Sequence, residues 1–467
     1  MAPGWASTLS RVTTSSQRLS RALFDPSTIE TFRFVGRQID EDGSVSLRYA
    51  LDDVYEFEER FSLPVAGTLP PSGRDRFDGL LALLHWVAGV SYYKAAVPPK
   101  VACETGDPPP ATRELLEALY SEGLGEFAFV NGLPGLPRPD FPQSPGPAMR
   151  APERTPRRVL VPIGGGKDSA VAIEIVRASG LELELFSVGN APAIEGTVAA
   201  AGLPRLLAGR SIDPRLIELN RAGALNGHVP ITAIVSCAAL LTAELNGFDT
   251  VALANERSAS VGNTMLDGVE VNHQFSKSLR VERLLSAAVA EVAPDVQIFS
   301  VLRPASELSI ARAFARLEQY HPVFTSCNRI FKLDAALRLT SWCCDCDKCR
   351  FVFLILAPFM EPDVLGRTFG RAMLDDGRQY AGFALLAATG GHKPFECVGE
   401  TTEVLAAIRL LEDDPRWRDQ RVVRRLASEV LPRFPSDAAD PEPVFALSRE
   451  HQVPPELLAQ VHALLGP

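Results

Sequence analysis

Residues 159–180, VLVPIGGGKDSAVAIEIVRASG, limit the fold more tightly than any other stretch of the chain. The apolar run VLVPI reads as a buried strand. Three glycines follow, and from Asp168 the apolar residues recur at helical spacing until Gly180. Strand, glycine turn and helix in this order open an α/β domain, and they aim a helix N-terminus at an anion. Two common versions of such a turn fail here. The pattern GxxxxGK[ST] has Val161 at its first glycine and Asp168 after the lysine. The dinucleotide fingerprint GxGxxG fits Gly164 and Gly166 but meets Ser169 in third place. Glu184 falls near the spacing of a ribose-binding acid, yet it alternates within the next strand instead of ending it.

The strand–helix alternation continues downstream. LELELFSVGN (181–190) predicts a second strand, and ITAIVSCAALLTAELNG (231–247) a helix stopped by Asn-Gly. DTVALANE (249–256) and VQIFSVL (296–302) predict a third and a fourth strand. This is the signature of a doubly wound, mostly parallel, Rossmann-like α/β sheet. Upstream, residues 30–63 alternate apolar and polar positions around the turn DEDGS, which predicts a hairpin extended by VYEFEERFSLP. A helical pattern covers 77–98, and the proline-dense stretch 133–158 reads as a linker. Beyond about residue 320 come a cysteine cluster and helical patterns. The expected organisation is a smaller α+β unit over 1–150, an α/β domain over 151–320 and a Cys-cluster helical region over 321–467.

Composition narrows the class. The chain has 467 residues, 46% hydrophobic and 22% charged, the balance of a soluble enzyme of more than one domain. A net charge of −10 argues against a protein that coats nucleic acid. No stretch has the roughly 18 consecutive apolar residues of a membrane span, and the longest, 351–360 and 229–243, read as core. The segment before Asp25 lacks the apolar region of a secretory signal and reads as the leader of a cytoplasmic protein. Four of the eight cysteines fall in CCDCDKC (343–349), a clustering that suits metal or redox chemistry better than disulfides. Cys343, Cys346 and Cys349 form CxxCxxC, and Cys327 lies sixteen residues upstream. Four thiolates so spaced suit a tetrahedral structural Zn²⁺. An iron–sulfur cluster or an unliganded buried group fits the same spacing, and Cys344 is left over.

A third kind of phosphate turn is met at all but one position. The PP-loop of ATP pyrophosphatases reads SGGxDS directly after the first strand. Gly165, Gly166, Asp168 and Ser169 match it in order, Lys167 takes the free position, and Gly164 replaces the first serine. Glycines there let backbone N–H groups approach phosphate oxygens at the positive end of the helix. The resemblance implies that ATP is split between its α- and β-phosphates. Gly164 to Ser169 would hold the leaving pyrophosphate, and Asp168 would help place Mg²⁺. A plain glycine turn capped by Lys-Asp is the alternative. In PP-loop folds the end of the second strand meets adenosine, which points to Ser187, Val188, Gly189 and Asn190. The end of the third strand, Asn255, Glu256, Arg257 and Ser258, faces the same crevice.

Seven stretches together are more specific: GVSYYKAAVP (89–98), VPIGGGKDS (161–169), ANERSASVGN (254–263), VNHQFSKSLRVE (271–282), HPVFTSCNRIF (321–331), WCCDCDKCRFVFLILAPF (342–359) and GHKPFECVGE (391–400). With them the chain resembles the ATP-dependent epimerases of UDP-N-acetylmuramoyl-L-alanyl-L-glutamate of bacterial peptidoglycan synthesis. That resemblance implies a UDP-muramoyl dipeptide substrate, ATP and Mg²⁺, and neither nucleic acid nor membrane as partner. A PP-loop enzyme that thiolates or amidates tRNA or a nucleobase is the runner-up. Asn255, Arg257, Asn272, His273, Lys277 and Arg280 are the expected substrate contacts, although SKSLR also reads as a solvated basic helix start. Moving an α-proton needs a group that shuttles one proton. ATGGHKPFECVGE offers His392, Lys393, Glu396 and Cys397 on a glycine-flanked loop. Cys397 or His392 would take the proton, Lys393 would depress the thiol's pKa, and Glu256 is the next candidate.

Overall fold

The computed structural model describes residues 24–65, 74–145, 155–331, 338–391 and 393–466. The leader, the middle of the proline-dense stretch and His392 therefore lie outside the described residues. In chain order the strands are β1 (Thr31–Ile39), β2 (Ser44–Leu51), β3 (Tyr55–Ser62), β4 (Lys100–Cys103), β5 (Arg158–Pro162), β6 (Glu182–Val188), β7 (Arg205–Ser211), β8 (Thr250–Leu253), the short pair β9 (Thr264–Leu266) and β10 (Val269–Val271), and β11 (Gln297–Ser300). All but β9 and β10 join in one sheet of order β11-β8-β5-β6-β7-β3-β2-β1-β4. From β11 to β7 every pairing is parallel. The meander β1–β2–β3 is antiparallel, as its alternation predicts, and it joins the parallel part through an antiparallel β3–β7 pairing.

Two sequence expectations change. β7 escapes a search for apolar runs, because only Ala208 in RLLAGRS is fully buried and arginines stand at positions 205 and 210. This strand makes the hairpin region and the α/β region one continuous sheet. The stretch 133–145 is not a free linker. Its Phe141 is 1% exposed and packs edge-on against Tyr120, ring centroids 5.0 Å apart.

β5 shows how the layers form. Val159 and Val161 face one apolar core, and Leu160 faces the other. The first core is shared by the helices Lys167–Ala178, Glu307–Phe314, Asp347–Leu356, Thr401–Asp413 and Pro455–Leu465. Arg74–Ala88, Ile231–Asn246 and Leu279–Val292 share the second. Each aliphatic side chain removed from water this way stabilises the fold by about 1.5–3 kcal/mol. Both long apolar runs noted in the sequence lie in these buried helices. No described helix is long and apolar enough to cross a membrane.

The helix that follows β5 lies on one face, whereas Ile231–Asn246, which leads into β8, lies on the other. Between adjacent strands whose helices go to opposite faces, a crevice opens at the carboxyl ends. The glycine turn after β5 and the segment 254–257 after β8 both emerge there.

Candidate active site

The glycine turn is shaped by close approach of backbone to backbone. Gly165 has φ +82°, and a Cβ there would lie 2.5 Å from the carbonyl carbon of Ala193. A Cβ on Gly166 would lie 2.6 Å from Ser326 Oγ, while one on Gly164 would meet none of the described residues within 4 Å. The turn is thus walled on one side and open above Gly164. Gly164 N–H donates to Ser169 Oγ at 3.0 Å, and the helix Lys167–Ala178 starts without a side-chain cap. Its first N–H groups point toward the opening.

Beneath the turn lies a buried charge network. Lys167, 1% exposed, reaches Asp168 Oδ1 at 2.5 Å and hydrogen-bonds Glu307 Oε2. Burial works against the Lys167 ammonium, but Asp168 and Glu307 outweigh it and hold the group above an ordinary lysine. Asp168 is likewise penalised by burial, and Lys167, Lys348 and Lys277 more than offset this and keep it ionised. Lys348 Nζ stands 3.7 Å from Glu307 Oε1 and donates to the carbonyl of Cys397. One carboxylate, Glu307, therefore links the glycine turn to the loop that carries Cys397. Glu403 accepts from Glu307 N–H at 2.7 Å and Ser258 Oγ at 2.8 Å, and burial raises its pKa to about 7.

Four remote segments meet at Cys397. Lys277 Nζ stands 3.6 Å from its Sγ. His273 hydrogen-bonds the thiol, and its Nδ1 is in hydrogen-bonding contact with Glu126 Oε2. Burial would raise the Cys397 pKa, but Lys277, the His273 hydrogen bond and Lys348 bring it down to about 6. His273 moves the opposite way. Burial disfavours its charge, yet Cys397 and Glu126 lift its pKa to about 9. Near neutral pH the pair is a thiolate and an imidazolium. His228 completes the group, its ring centroid 4.5 Å from that of His273. Burial and the His273 charge depress its pKa to about 4. Glu126, His228 and His273 offer their ligand atoms within 4.8 Å of one another, the spacing of a metal site. Glu126 Oε2 and His273 Nδ1 are in direct contact. The contact is that of a hydrogen-bonded pair.

The other expected contacts divide. Ser187 lies at the end of β6 with Oγ 3.0 Å from the Gly189 carbonyl, and Val188 and Asn190 flank them. Asn255 and Glu256 sit buried at the end of β8, and Glu256 Oε1 has no hydrogen-bond partner among the described residues. Asn272 is spent internally, donating to the Ala259 carbonyl and accepting from Gln274 N–H. Arg257 turns away to the carbonyls of Ala446 and Val444. Arg280 pairs with Glu122 over an exposed surface. Lys393 faces the carbonyls of Val261 and Gly399, so the lysine beside the thiol is Lys277 rather than Lys393.

The cysteines converge as the spacing predicts. Cys327, Cys343, Cys346 and Cys349 hold their sulfurs within 4.8 Å of one another, with Cys346–Cys349 at 3.5 Å and Cys343–Cys349 at 3.6 Å. A disulfide needs about 2.05 Å. Four thiolates on one Zn²⁺ at about 2.3 Å would stand about 3.8 Å apart, so the set fits that ion. Cys344 points elsewhere, to the Phe369 carbonyl at 3.2 Å. The cluster borders the site on two sides. Thr325 N–H, two residues before Cys327, donates to the Gly165 carbonyl at 3.1 Å, and Lys348 lies between Cys346 and Cys349.

Comparison with known proteins decides the family. Residues 23–301 match the MurL N-terminal domain, and residues 323–440 match the MurL C-terminal domain. The chain belongs to the MurL family. Three relatives are named UDP-N-acetyl-alpha-D-muramoyl-L-alanyl-L-glutamate epimerase. That of Xanthomonas oryzae pv. oryzae is 42% identical over 94% of this chain and 98% of its own length. The Micromonospora protein is 44% identical over 91% and 96%, and the Salinispora tropica protein 44% over 86% and 89%. As a MurL-family chain it is an epimerase, a class of isomerase.

Within this MurL-family site, sequence reasoning missed Glu126, Glu307, Lys348, Glu403 and Arg303. Lys348 and Asn263 lay inside motifs already singled out. Asn263 accepts His273 N–H and donates to the Pro394 carbonyl, which ties the histidine to the Cys397 loop. Arg303, fully buried, donates to the carbonyls of Glu256 and Lys277 and pairs with Glu282 at 2.9 Å. No motif marks it, because its role is to hold backbone.

Proposed function

We propose that the chain epimerises the terminal L-glutamate of UDP-N-acetylmuramoyl-L-alanyl-L-glutamate to D-glutamate, with ATP converted to AMP and diphosphate. The chemistry explains why an AMP-forming turn and a proton-transfer pocket belong together. Taking the α-proton beside a free carboxylate would put a second negative charge next to the first. Adenylation of that carboxylate removes its charge and makes the carbonyl an electron sink. In this reading the glycine turn acts as a PP-loop. Gly164, Gly165, Gly166 and Ser169 hold the β- and γ-phosphates, and the β6 end, Ser187 to Asn190, meets the adenosine. Asp168 would hold Mg²⁺ through Oδ2, since Oδ1 receives Lys167, and the ion would neutralise charge on the leaving diphosphate. Cys397 then takes the α-proton as a thiolate, and the electron pair moves to the carbonyl oxygen. Lys277, beside the thiol, offsets the charge that develops there. Water delivers a proton to the other face of the enolate, the proton on Cys397 passes to the hydroxide left behind, and hydrolysis releases the D-glutamyl product and AMP. Glu256, whose buried Oε1 has no partner among the described residues, would accept the amide N–H of the glutamate.

One observation carries this reading. Lys277 Nζ stands 3.6 Å from Cys397 Sγ, and Lys348 donates to the Cys397 carbonyl while standing 3.7 Å from Glu307, the carboxylate that pairs with Lys167 of the glycine turn, which supports a shared crevice for the two halves of the chemistry. The test uses dipeptide substrate labelled with ¹⁸O in the glutamate α-carboxylate, incubated with Mg-ATP. The reading expects AMP carrying one ¹⁸O, together with D-glutamate. AMP formed with tRNA and never with the dipeptide would instead favour a tRNA-modifying enzyme.

A further inference from the structure

Resting on the reading of Cys397 as the base, we infer that Glu126 is a positioning residue that keeps His273 protonated and, through it, keeps Cys397 a thiolate before substrate arrives. The three groups form a chain: carboxylate to imidazole Nδ1, imidazole to thiol. They come from the helix Gly125–Val130, the segment after β10 and the loop of Cys397, Glu126 and His273 being 147 positions apart in sequence. Asn263 receives the His273 backbone N–H at 2.8 Å, so the ring is fixed from its backbone as well as from Nδ1.

Two adjacent histidines provide an internal comparison. His273 and His228 are both largely buried, and both have Glu126 nearby. Two contacts distinguish them: His273 hydrogen-bonds Cys397, and Glu126 touches Nδ1 of His273 but lies 3.7 Å from Nδ1 of His228. The touching ring is held charged and its neighbour is not. The other charges are known. Lys277, Lys348 and His273 face Cys397, while Glu396 lies beside both His273 and the thiol, its own pKa raised to about 7 by burial. Lys277 is held above an ordinary lysine by the acids and the thiolate around it, so it stays charged. His273 loses its charge near pH 9, held there against its burial by Cys397 and by Glu126, and Glu396 gains its charge near pH 7. When the thiolate takes the α-proton, the C–H bond breaks and an S–H bond forms. Return to the thiolate then needs a proton acceptor or exchange with water along the same chain.

The test is alkylation of the Cys397 peptide by iodoacetamide as a function of pH, read by mass spectrometry, alongside kcat and KM for the dipeptide. Native protein should show a midpoint near pH 6. In Glu126→Gln the midpoint should rise by about one unit. Its kcat should fall most at low pH and recover toward pH 9, with KM within about twofold of native. Glu126→Asp, which keeps the charge, should return the midpoint most of the way, and His273→Gln should raise it as Glu126→Gln does. Native midpoints in both Glu126→Gln and His273→Gln would overturn the relay, even if Cys397 proved essential. Full α-proton exchange in Cys397→Ser would instead remove the base reading beneath it.

Discussion

The two halves of this site are built by different means. The glycine turn is local: one stretch of twelve residues, 158–169, supplies its strand, its open backbone and the first turn of its helix. The Cys397 pocket has no local basis. Its thiol and carboxylate come from residues 397 and 126, its imidazolium and ammonium from residues 273 and 277 of one stretch, and tertiary packing brings these three segments together. Backbone shape tolerates little substitution, whereas a charge cluster can be changed one group at a time. The first half should therefore fail as a unit, and the second should fail in separable steps.

The largest effect is expected at Gly165. Gly165→Ala must accept a positive φ and a Cβ 2.5 Å from the Ala193 carbonyl carbon, a cost of about 3 kcal/mol or more. AMP formation should vanish, and the thermal midpoint should drop. Asp168→Ala should lose AMP formation as completely while its melting stays near native. Normal turnover in either variant would contradict the phosphate-binding role of the turn.

Next comes Cys346→Ser. Because Thr325 and Lys348 hang from the cysteine cluster, loss of one thiolate should lower stability and bound zinc together, and should damage both halves at once. Metal analysis by mass spectrometry checks this, and native protein without zinc would refute it.

A smaller effect, confined to the second half, concerns pH. A thiol lowered from 9.0 to about 6 gives an acid limb of α-proton exchange near pH 6, and rates should be flat above pH 7. The sign for stability follows. A depressed pKa contributes stability that is fully present above pH 9 and is lost as pH falls through 6. Between pH 9 and 5 the urea midpoint of native protein should therefore fall further than that of Cys397→Ser. An acid limb near 9 would mean an ordinary thiol. The smallest effect is expected for Arg257→Ala. Its guanidinium holds two carbonyls near the C-terminal end, so kcat and KM should stay near native, with about 1 kcal/mol or less of lost stability.

The same division explains what could be read from sequence. The glycine turn, the parallel strands and the four cysteines are recognisable because each depends on short-range spacing. Cys397 and Lys277 were visible as reactive residues, but not as neighbours. Glu126 carried no signal, being one acid among many on a helix of six residues. Arg257 and Arg280 looked like ligands for an anionic substrate because sequence gives charge without direction. Packing sends one to backbone carbonyls and the other to Glu122. Lys393 and Lys277 exchange roles for the same reason.

The central claim is that adenylation and proton transfer are carried by separable halves of one crevice. It is tested most directly in D₂O with Mg-ATP and the muramoyl dipeptide, by following AMP release and deuterium at the glutamate α-carbon in Cys397→Ala. The account expects AMP to be released while deuterium incorporation falls by about 10²-fold or more. Deuterium entering at the native rate, or AMP and deuterium lost together in a variant that still folds, would contradict it.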